Sequence, residues 1–477
     1  MTEHPLSPAI EALRLLGPFP DNWVPERPGI DHDVVIVGGG HTGAAFAFAL
    51  QRAGIRRFSI IDAAPDEAGS GIWRTRARMT LLRTPKTLVG PELGVPGLSF
   101  QAWYESRHGR QAYADLPRIP RLDWADYLSS WFRAALGLTI RYGTRLLRIE
   151  PADDHLRLHL DDHGRQRIET ARKVILGNGV DGSGYAYLPA VLARLPDALR
   201  AHTADAIDLS ALRGKSVAIL GGAASAFDAA GAVLEAGARE VHLFARRDHI
   251  AATPVIRARG YPGAYDNYPH LPDAIRWQQA FRYRRSGSTP PPDSVERTVR
   301  FPNFHLHLAT EWLDAQVEAG RIVARLPGGS IPFDFAIAGT GFRVDLTRRP
   351  ELADLTGDIL LWRDRYTPPA DEADEDLGAH PYLDIGHALL ERRTGTAPQL
   401  GNIHLYNPGD FVSLGLPIGD VPSLRRGVPA VTAAISRDLF FADLDHHAAR
   451  FAATPPPEFD PAAYRAALRL DDRRAAE

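Results

Sequence analysis

The chain has 477 residues, of which 44% are hydrophobic and 24% charged, and this composition excludes a fibrous or wholly disordered protein. Its net charge of −3 provides no field that would gather nucleic acid or an anionic membrane surface, so neither is an expected partner. Because cysteine is absent, disulfides, Cys-ligated zinc, iron–sulfur clusters and thiol nucleophiles are excluded, and we expect no metal cofactor.

The first strong pattern along the chain is a strand, a glycine-rich turn and a helix in direct succession. Residues 33–37 form a short apolar run typical of a buried parallel strand. The turn GGGHTG then has the form G-x-G-x-x-G, in which Gly38 permits the tight turn, Gly40 lets a pyrophosphate approach the backbone and Gly43 lets helix and strand pack closely. Asp62 ends the next strand, where its carboxylate can accept hydrogen bonds from ribose hydroxyls. The unit predicts an adenine-dinucleotide site, with a purely structural turn as the alternative.

The middle of the N-terminal half predicts a loop, a helix and a small antiparallel meander. Residues 73–99 are rich in Arg, Thr, Pro and Gly and indicate an extended loop, and residues 123–136 indicate an aromatic-rich amphipathic helix. Apolar and polar residues alternate over 143–169, with a turn predicted at 161–164. The apolar run KVILGNG at 173–179 predicts a further strand.

A second unit, at residues 215–247, repeats the order strand, small-residue turn, helix and strand. Its turn begins at Gly221, but alanine replaces the second and third glycines of the pattern. Where Asp62 stands in the first unit, this one has a neutral residue followed by Arg246 and Arg247. A carboxylate there would repel a 2′-phosphate, whereas guanidinium groups would bind it. The second unit therefore predicts a preference for NADPH over NADH. The alternative is that the two arginines are only solvent-exposed side chains at the end of a strand.

The remaining segments give weaker signals. Residues 251–298 carry four tyrosines and a Pro-rich stretch and indicate a mobile excursion or lid. The run DFAIAGTG at 334–341 echoes the strand at 173–179, and IHLYN near residue 403 predicts another strand. A helix is expected from about Val421 to Leu439, followed by a tail that wraps the surface or frays.

Two dinucleotide units in one chain predict two bound dinucleotides, a flavin and the nicotinamide that reduces it. Three further segments accompany the two turns: GSGIW at 69–73, MTLLRTPKTLVGPELGVPGLSFQAWYE at 79–105 and AIAGTGF at 336–342. Together they resemble the class B flavoprotein monooxygenases, which include flavin-containing, Baeyer–Villiger and N-hydroxylating enzymes. The resemblance covers nearly the whole chain.

The resemblance implies an α/β fold with two Rossmann-like dinucleotide-binding domains, the NADPH domain being inserted into the FAD domain. We expect the parts to be residues 1–205 for the first FAD part, 206–335 for the NADPH domain with a lid-like excursion at 251–300, and 336–477 for the second FAD part.

Individual residues follow from these patterns and from the resemblance. Trp73 corresponds to the tryptophan of the family's turn beside the flavin, and either Gly409-Asp410 or Gly419-Asp420 corresponds to a glycine–acid pair before a helix that points at the flavin pyrimidine. The predicted cofactor-binding residues are Gly38, Gly40, Gly43, Asp62, Trp73, Gly221, Ser225, Arg246, Arg247, Gly341, Asp410 and Asp420. The predicted catalytic residues are His202, Trp73, Arg83 and Lys86.

One family motif is largely missing from this sequence. The fingerprint F-x-G-x-x-x-H-x-x-x-W should precede the second unit, and its best register here begins at Pro196 and keeps only His202. An isolated histidine is more often structural. We expect other contacts, such as Ser225 and the excursion at 251–300, to hold the nicotinamide in its place.

The resemblance implies that FAD, reduced by NADPH, reacts with O2 to give a C4a-(hydro)peroxide that transfers one oxygen atom to a small organic substrate. Baeyer–Villiger and N- or S-oxygenation both stay open. The alternatives are a reductase that passes electrons to another acceptor and a catalytically silent redox sensor. The expected partners are a small-molecule substrate and O2, a homodimer is possible, and the expected location is the cytoplasm because no signal peptide or long apolar run is present.

Overall fold

The first glycine turn follows the carboxyl end of a central strand in a six-stranded sheet. The computed structural model describes residues 7–415 and 421–468. In order across this first sheet the strands are Phe58–Ile61, His32–Val37, Arg165–Leu176, Leu156–Asp162 and Thr144–Pro151, with Ile403–Leu405 also paired to Arg165–Leu176. His32–Val37 runs parallel to both neighbours, and Ile403–Leu405 runs parallel to Arg165–Leu176. The chain segments that leave these parallel strands therefore meet at one edge of the sheet, where α/β folds bind their ligands.

A second sheet of five parallel strands contains the second small-residue turn. Its strands, in order across the sheet, are Phe304–His307, Glu240–Phe244, Ser216–Leu220, Phe335–Ala338 and Arg200–His202. All five come from the chain between the fifth and sixth strands of the first sheet. The second dinucleotide-type unit is therefore inserted into the first.

Two smaller sheets accompany the large ones. Asp314–Glu318, Arg321–Leu326 and Gly329–Phe333 form an antiparallel meander. Gly184–Ala186 and Phe342–Val344 form a two-stranded antiparallel ribbon from the chain segments that flank the insertion.

Helices cover the sheets and build the segments between them. The α-helices are Ser7–Leu16, His41–Arg52, Phe100–His108, Arg110–Asp115, Arg121–Tyr127, Ala134–Leu136, Ala190–Ala193, Ala224–Glu235, Pro262–Asn267, Asp273–Ser286, Pro292–Val299, Trp362–Arg365, Glu375–Gly378, Phe411–Leu414, Val421–Ala442, Leu444–Ala452 and Ala462–Arg465. A π-helical stretch, Leu128–Arg133, joins Arg121–Tyr127 to Ala134–Leu136. Short 3₁₀ turns are Pro96–Leu98, Val180–Ser183, Asp197–Leu199, Ser210–Leu212, Val255–Arg259, Tyr268–His270, Leu346–Arg348, Pro350–Leu352, Ala370–Glu372, Pro398–Asn402 and Pro408–Asp410. Among the described residues, no helix is both long and apolar enough to cross a bilayer.

Residues up to Ser436 form one compact unit and those from Arg437 onward a second. In the first unit, an aromatic cluster beside the first sheet includes the buried rings of Trp103, Trp124, Tyr127 and Trp131. In the second unit, the ring of Phe440 stacks on that of His447 with centroids 4.3 Å apart.

The predicted α/β class with two parallel-stranded units is confirmed. The predicted domain boundaries stay predictions. The segment at 251–298 contains the helices Pro262–Asn267, Asp273–Ser286 and Pro292–Val299, and its role as a lid-like excursion stays a prediction. Two of these helices begin with proline at a first-turn position, where its missing N–H costs nothing. The expected tail likewise contains the helices Leu444–Ala452 and Ala462–Arg465.

Candidate functional site

The glycines of the first turn have distinct environments. Gly38 has a φ of 110°, and a Cβ atom there would lie 2.5 Å from the carbonyl oxygen of Gly177. A Cβ atom on Gly43 would overlap the carbonyl oxygen of Gly38, so this glycine sets the close contact between helix and strand. A Cβ atom on Gly40 would meet nothing within 4 Å. Gly40 therefore exposes bare backbone at the start of the helix His41–Arg52, where free N–H groups favour an anion.

Asp62 is held against this turn by three hydrogen bonds. Its Oδ2 accepts from the backbone N–H of Gly39 at 2.7 Å and from the Ser70 hydroxyl at 2.8 Å, and its Oδ1 accepts from the N–H of Ala64 at 2.8 Å. An ionised carboxylate has about four acceptor sites, so the fixed group retains capacity for a ribose hydroxyl. The predicted role of Asp62 stays a prediction.

A cavity of about 230 Å³ opens at Gly40. Its lining combines one acidic, two basic and several small or apolar side chains: Gly40, Glu67, Ala68, Ser70, Trp73, Arg74, Ala125, Leu128, Ser129 and Arg133. A second cavity of about 250 Å³ shares Glu67, Ser129 and Arg133 with the first. The predicted residues Gly40 and Trp73 thus line one space together with Arg74 and Arg133.

Three charged residues that line this space, Glu67, Arg74 and Arg133, were not predicted from the sequence, and Arg133 is the buried one. Its guanidinium donates to the Gly39 carbonyl and to Glu67 Oε1 at 3.4 Å. Its Nε is buried without a hydrogen-bond partner among the described residues. The π-helical stretch that ends at Arg133 changes the side-chain register within the predicted helix, a local feature that recurs at functional sites.

Trp73 lines this cavity and packs against other aromatic rings. Its ring centroid lies 5.7 Å from that of His41 and 6.4 Å from that of Trp124, and Arg121 donates to its carbonyl oxygen. Trp124 is buried, whereas Trp73 is only partly buried. The indole of Trp73 is therefore supported from behind by buried rings and accessible from the cavity, as a side chain beside a cofactor must be.

A polar cluster lies at the same edge of the first sheet, where Ile403–Leu405 ends. Asp410 is buried, and its Oδ2 lies 3.0 Å from Nδ1 of the buried His387. His380 Nδ1 lies 2.9 Å from the Gly409 carbonyl oxygen, and burial lowers the pKa of His380 to about 4, so the neutral ring donates this hydrogen bond at pH 7. Gly409-Asp410 thus sits in a defined structure, whereas Gly419-Asp420 lies outside the described residues.

Asn178 connects this cluster to the first glycine turn. Asn407 donates from Nδ2 to Asn178 Oδ1 at 3.1 Å. The Cα of Asn178 lies 3.2 Å from where a Cβ on Gly38 would stand. The two histidines and the bridging asparagines carried no sequence signal, because each depends on pairing between strands that are distant in the chain.

The second turn resembles the first in backbone but differs in its residues. Gly221 has a φ of 144° and a Cβ there would overlap the Gly339 carbonyl oxygen. Ser225 is exposed in the first turn of the helix Ala224–Glu235. Arg246 and Arg247 are exposed just after the strand Glu240–Phe244, and Arg247 donates to the Ser286 carbonyl at 2.7 Å. The structure brings these three predicted contacts to the carboxyl edge of the second sheet.

His202 is buried at the end of the strand Arg200–His202, where it pairs with Ala338. Its Nδ1 accepts a hydrogen bond from the Ala204 N–H at 3.0 Å, and burial lowers its pKa, so the ring is neutral at pH 7. The carbonyl of Gly341, the predicted residue of the neighbouring segment, accepts from the Tyr187 N–H at 2.9 Å. His202 therefore has a structural environment, and its catalytic role stays a prediction.

The loop after Trp73 links the two dinucleotide-type units of the chain. Arg76 donates to Asp181 Oδ2 at 2.6 Å, and Arg78 donates to the Thr203 carbonyl at 2.7 Å, next to His202. Arg83 donates to the Thr289 carbonyl at 2.9 Å. This loop is therefore the element that connects the first cavity with the edge of the second sheet.

The Lys86 side chain contacts a helix end. Its ammonium donates to the carbonyls of Tyr113 and Ala114 at 2.6 and 2.8 Å, at the end of the helix Arg110–Asp115, and lies 4.6 Å from the Tyr113 ring centroid. These contacts are those of a residue that stabilises a helix end. The catalytic roles predicted for Lys86 and Arg83 stay predictions.

Comparison with known proteins relates this geometry to described enzymes. A family model described as FAD-NAD(P)-binding matches residues 35–181. An FAD-dependent urate hydroxylase from Xanthomonas campestris is 38% identical over 447 residues, covering 92% of this chain and 93% of that protein. Ornithine hydroxylase from Pseudomonas aeruginosa matches the structure with a TM-score of 0.65 at 19% identity, over 86% of this chain and 100% of that one. Ornithine N-hydroxylase from Kutzneria sp. 744 matches with a TM-score of 0.66 at 18% identity, over 85% of this chain and 99% of that one.

Proposed function

The chain belongs to the class B flavoprotein monooxygenases, together with the FAD-dependent hydroxylase from Xanthomonas campestris, and from this premise we propose that it hydroxylates urate or a closely related anionic purine. The predictions that the chain is a flavoprotein monooxygenase and that it uses FAD with a nicotinamide cofactor are confirmed. The proposed reaction consumes substrate, O2, NADPH and a proton, and yields hydroxylated product, NADP⁺ and water. It takes the place of the Baeyer–Villiger and N- or S-oxygenation alternatives left open by the sequence.

The observation that carries the flavin-dependent part of the proposal is the fit of the first turn to a dinucleotide. Gly40 leaves the backbone bare where a pyrophosphate would approach, the helix His41–Arg52 presents its free N–H groups there, and Arg133 adds a buried positive charge. When bound, FAD supplies hydride acceptance and oxygen activation, while the protein supplies position and electrostatics. Trp73 and the rings behind it would exclude water from one side of the site.

The second turn supports NADPH rather than NADH. Arg246 and Arg247 stand where a carboxylate would otherwise repel a 2′-phosphate, and no described carboxylate forms an ion pair with either of them. Arg247 is positioned by its hydrogen bond to Ser286, which leaves Arg246 as the less restrained donor. We expect these two guanidiniums to bind the phosphate and so to set the cofactor preference.

Arg259 supports an anionic substrate. Both terminal nitrogens of its guanidinium are buried, and the polar group recorded beside them is the Tyr268 hydroxyl, which cannot satisfy all of their N–H donors. Its Cζ lies 4.8 Å from the ring centroid of Tyr268 and 5.7 Å from that of Phe411, the residue after Asp410. Burying a guanidinium with donors left unsatisfied is costly unless a ligand provides acceptors. Urate is an anion at neutral pH, with carbonyl oxygens in the plane that a guanidinium fork can match.

The proposed function is tested by steady-state turnover with urate. Urate should increase the rate of NADPH oxidation, and one urate and one O2 should disappear for each NADPH, with little hydrogen peroxide released. Xanthine and uncharged amines serve as comparison compounds. Stoichiometric peroxide that is independent of urate would contradict the proposal and support the reductase alternative.

The substrate contact is tested with Arg259→Gln against Arg257→Gln, which removes an exposed guanidinium two residues away. A lost charge-assisted hydrogen bond of about 1.5–3 kcal/mol should raise the KM for urate at least ten-fold in Arg259→Gln. Arg259→Lys should recover part of the loss. Flavin reduction by NADPH without urate should be unchanged in all three variants. Equal KM values in Arg259→Gln and Arg257→Gln would remove Arg259 from the site.

A further inference from the structure

A group of histidines and one glutamate lies on the second sheet, away from both glycine turns. Glu240 and His242 are two residues apart on the strand Glu240–Phe244, and His305 and His307 are two residues apart on the edge strand Phe304–His307. The strands are parallel, and His305 is the register partner of His242. Since side chains two residues apart share a face of a sheet, all four project from the same face.

The ligand atoms of this group converge. One atom each from Glu240, His242 and His305 lie within 4.8 Å of one another, and within the described parts of the chain no other such group of three was found. His242 Nε2 lies 3.6 Å from Glu240 Oε2, and the rings of His242 and His305 have centroids 4.4 Å apart. His242 Nε2 is buried and makes no hydrogen bond to a described residue.

His307 fixes the orientation of His242. His242 Nδ1 and His307 Nε2 lie 2.9 Å apart, a hydrogen bond in which His242 Nδ1–H donates when its Nε2 carries the free lone pair. A ring with one nitrogen in a hydrogen bond and the other facing a carboxylate is the arrangement of a metal-ligating histidine.

We propose that Glu240, His242 and His305 bind a divalent transition-metal ion of the zinc class, and that His307 positions His242 by accepting its Nδ1–H. Imidazole nitrogens with one carboxylate suit Zn²⁺ and its neighbours, whereas Mg²⁺ and Ca²⁺ prefer oxygen ligands. This site is independent of the proposed hydroxylation. The expectation of no metal cofactor rested on the absence of cysteine, which these ligands do not require.

The distances suit a zinc ion after a small adjustment. With metal–ligand bonds of about 2.0–2.1 Å in a tetrahedral site, neighbouring ligand atoms lie about 3.3 Å apart. The separation of 3.6 Å between Glu240 and His242 is close to this value, and His305 is exposed and can rotate toward the other two. Water would complete the coordination on the open side.

A bound ion would fasten the edge strand to the rest of the second sheet. The residues after the edge strand also contact the arginine pair, because the Ala309 N–H donates to the Arg247 carbonyl at 2.7 Å and the Thr310 N–H donates to the Ala245 carbonyl at 3.1 Å. The metal site therefore belongs to the scaffold that positions Arg246 and Arg247, and we assign it a structural role.

The test is isothermal titration of the FAD-loaded, untagged, chelator-treated protein with ZnCl₂. The wild type should bind one Zn²⁺ per chain, and MgCl₂ should give no binding heat. His305→Asn should weaken Zn²⁺ binding at least ten-fold, and His307→Ala should weaken it by about ten-fold. The matched control His270→Asn removes an exposed histidine outside the group and should bind like the wild type.

Thermal unfolding provides the second readout. Zn²⁺ should raise the Tm of the wild type and of His270→Asn but not that of His305→Asn, since an ion stabilises a fold only where it binds. His305 is exposed, so the Tm of His305→Asn without metal should match that of the wild type. Absence of Zn²⁺ binding to the wild type, or equal Zn²⁺ affinity in His305→Asn and His270→Asn, would overturn the proposal.

Discussion

Replacing Gly40 by alanine would place a methyl group on the open face of the first glycine turn. The added Cβ would meet no protein atom within 4 Å, and Gly40 has an extended backbone (φ −68°, ψ −164°) that alanine adopts without strain. Losing glycine at a helix N-cap costs at most about 1 kcal/mol, and the reduced freedom of the unfolded chain offsets part of it. We therefore expect Gly40→Ala to fold with a Tm within a few degrees of the wild type.

The affinity for FAD, unlike the stability, should decrease in Gly40→Ala. If the pyrophosphate lies against Gly40, the methyl group occupies space that the ligand needs. Overpacking of this kind costs about 1–3 kcal/mol, which corresponds to roughly a 5- to 150-fold loss of affinity. The assay is FAD titration of the deflavinated protein, followed by quenching of flavin fluorescence.

Two further variants separate binding from folding. Gly43→Ala should destabilise the apoprotein itself by about 1–3 kcal/mol, because its Cβ would overlap the carbonyl oxygen of Gly38. Gly357→Ala adds a methyl group to another glycine with open space around it and should change neither property. Unaltered FAD affinity in Gly40→Ala, with Gly43→Ala as stable as the wild type, would refute the role assigned to this turn.

Other predictions concern the acid, the arginine pair and a buried histidine. Asp62→Ala should weaken FAD retention by about 1.5–3 kcal/mol, measured by the flavin content that survives dialysis. Changing Arg246 and Arg247 together to alanine should raise the NADPH concentration needed for anaerobic flavin reduction and leave that for NADH nearly unchanged; a wild type that prefers NADH would contradict the assignment. Because burial lowers the pKa of His380 from 6.5 to about 4, the unfolded chain binds a proton between these pH values that the folded chain does not. Stability should therefore fall as the pH falls through this window, by up to about 3 kcal/mol, and His380→Gln should flatten that part of the urea-unfolding profile; an unchanged slope would show that His380 is protonated in the fold.

The sequence was most informative where the structure depends on neighbours in the chain. Gly38 and Gly43 could be assigned their tasks because a strand, a turn and a helix in succession determine the contacts of both residues. The turn at 161–164 was predictable for the same reason, and His163 and Gly164 have the positive φ values of a tight hairpin. Local chemistry was sufficient for these features.

Contacts between distant segments were not predictable. Arg133 reaches the Gly39 carbonyl only because a π-helical stretch brings it to the first cavity. His242 and His305 meet through the register of two parallel strands, which no local pattern determines. The Lys86 ammonium donates to the carbonyls of Tyr113 and Ala114, a contact with a segment 27 residues away that no local pattern determines.

A monooxygenase transfers one oxygen atom from O2 to its substrate, and we expect this of the chain. Turnover with NADPH and urate under ¹⁸O₂, followed by mass spectrometry of the first product, measures this transfer directly. We expect one ¹⁸O atom per product molecule and the second ¹⁸O atom in water. Product whose added oxygen comes from the solvent, or ¹⁸O recovered wholly as hydrogen peroxide, would contradict it.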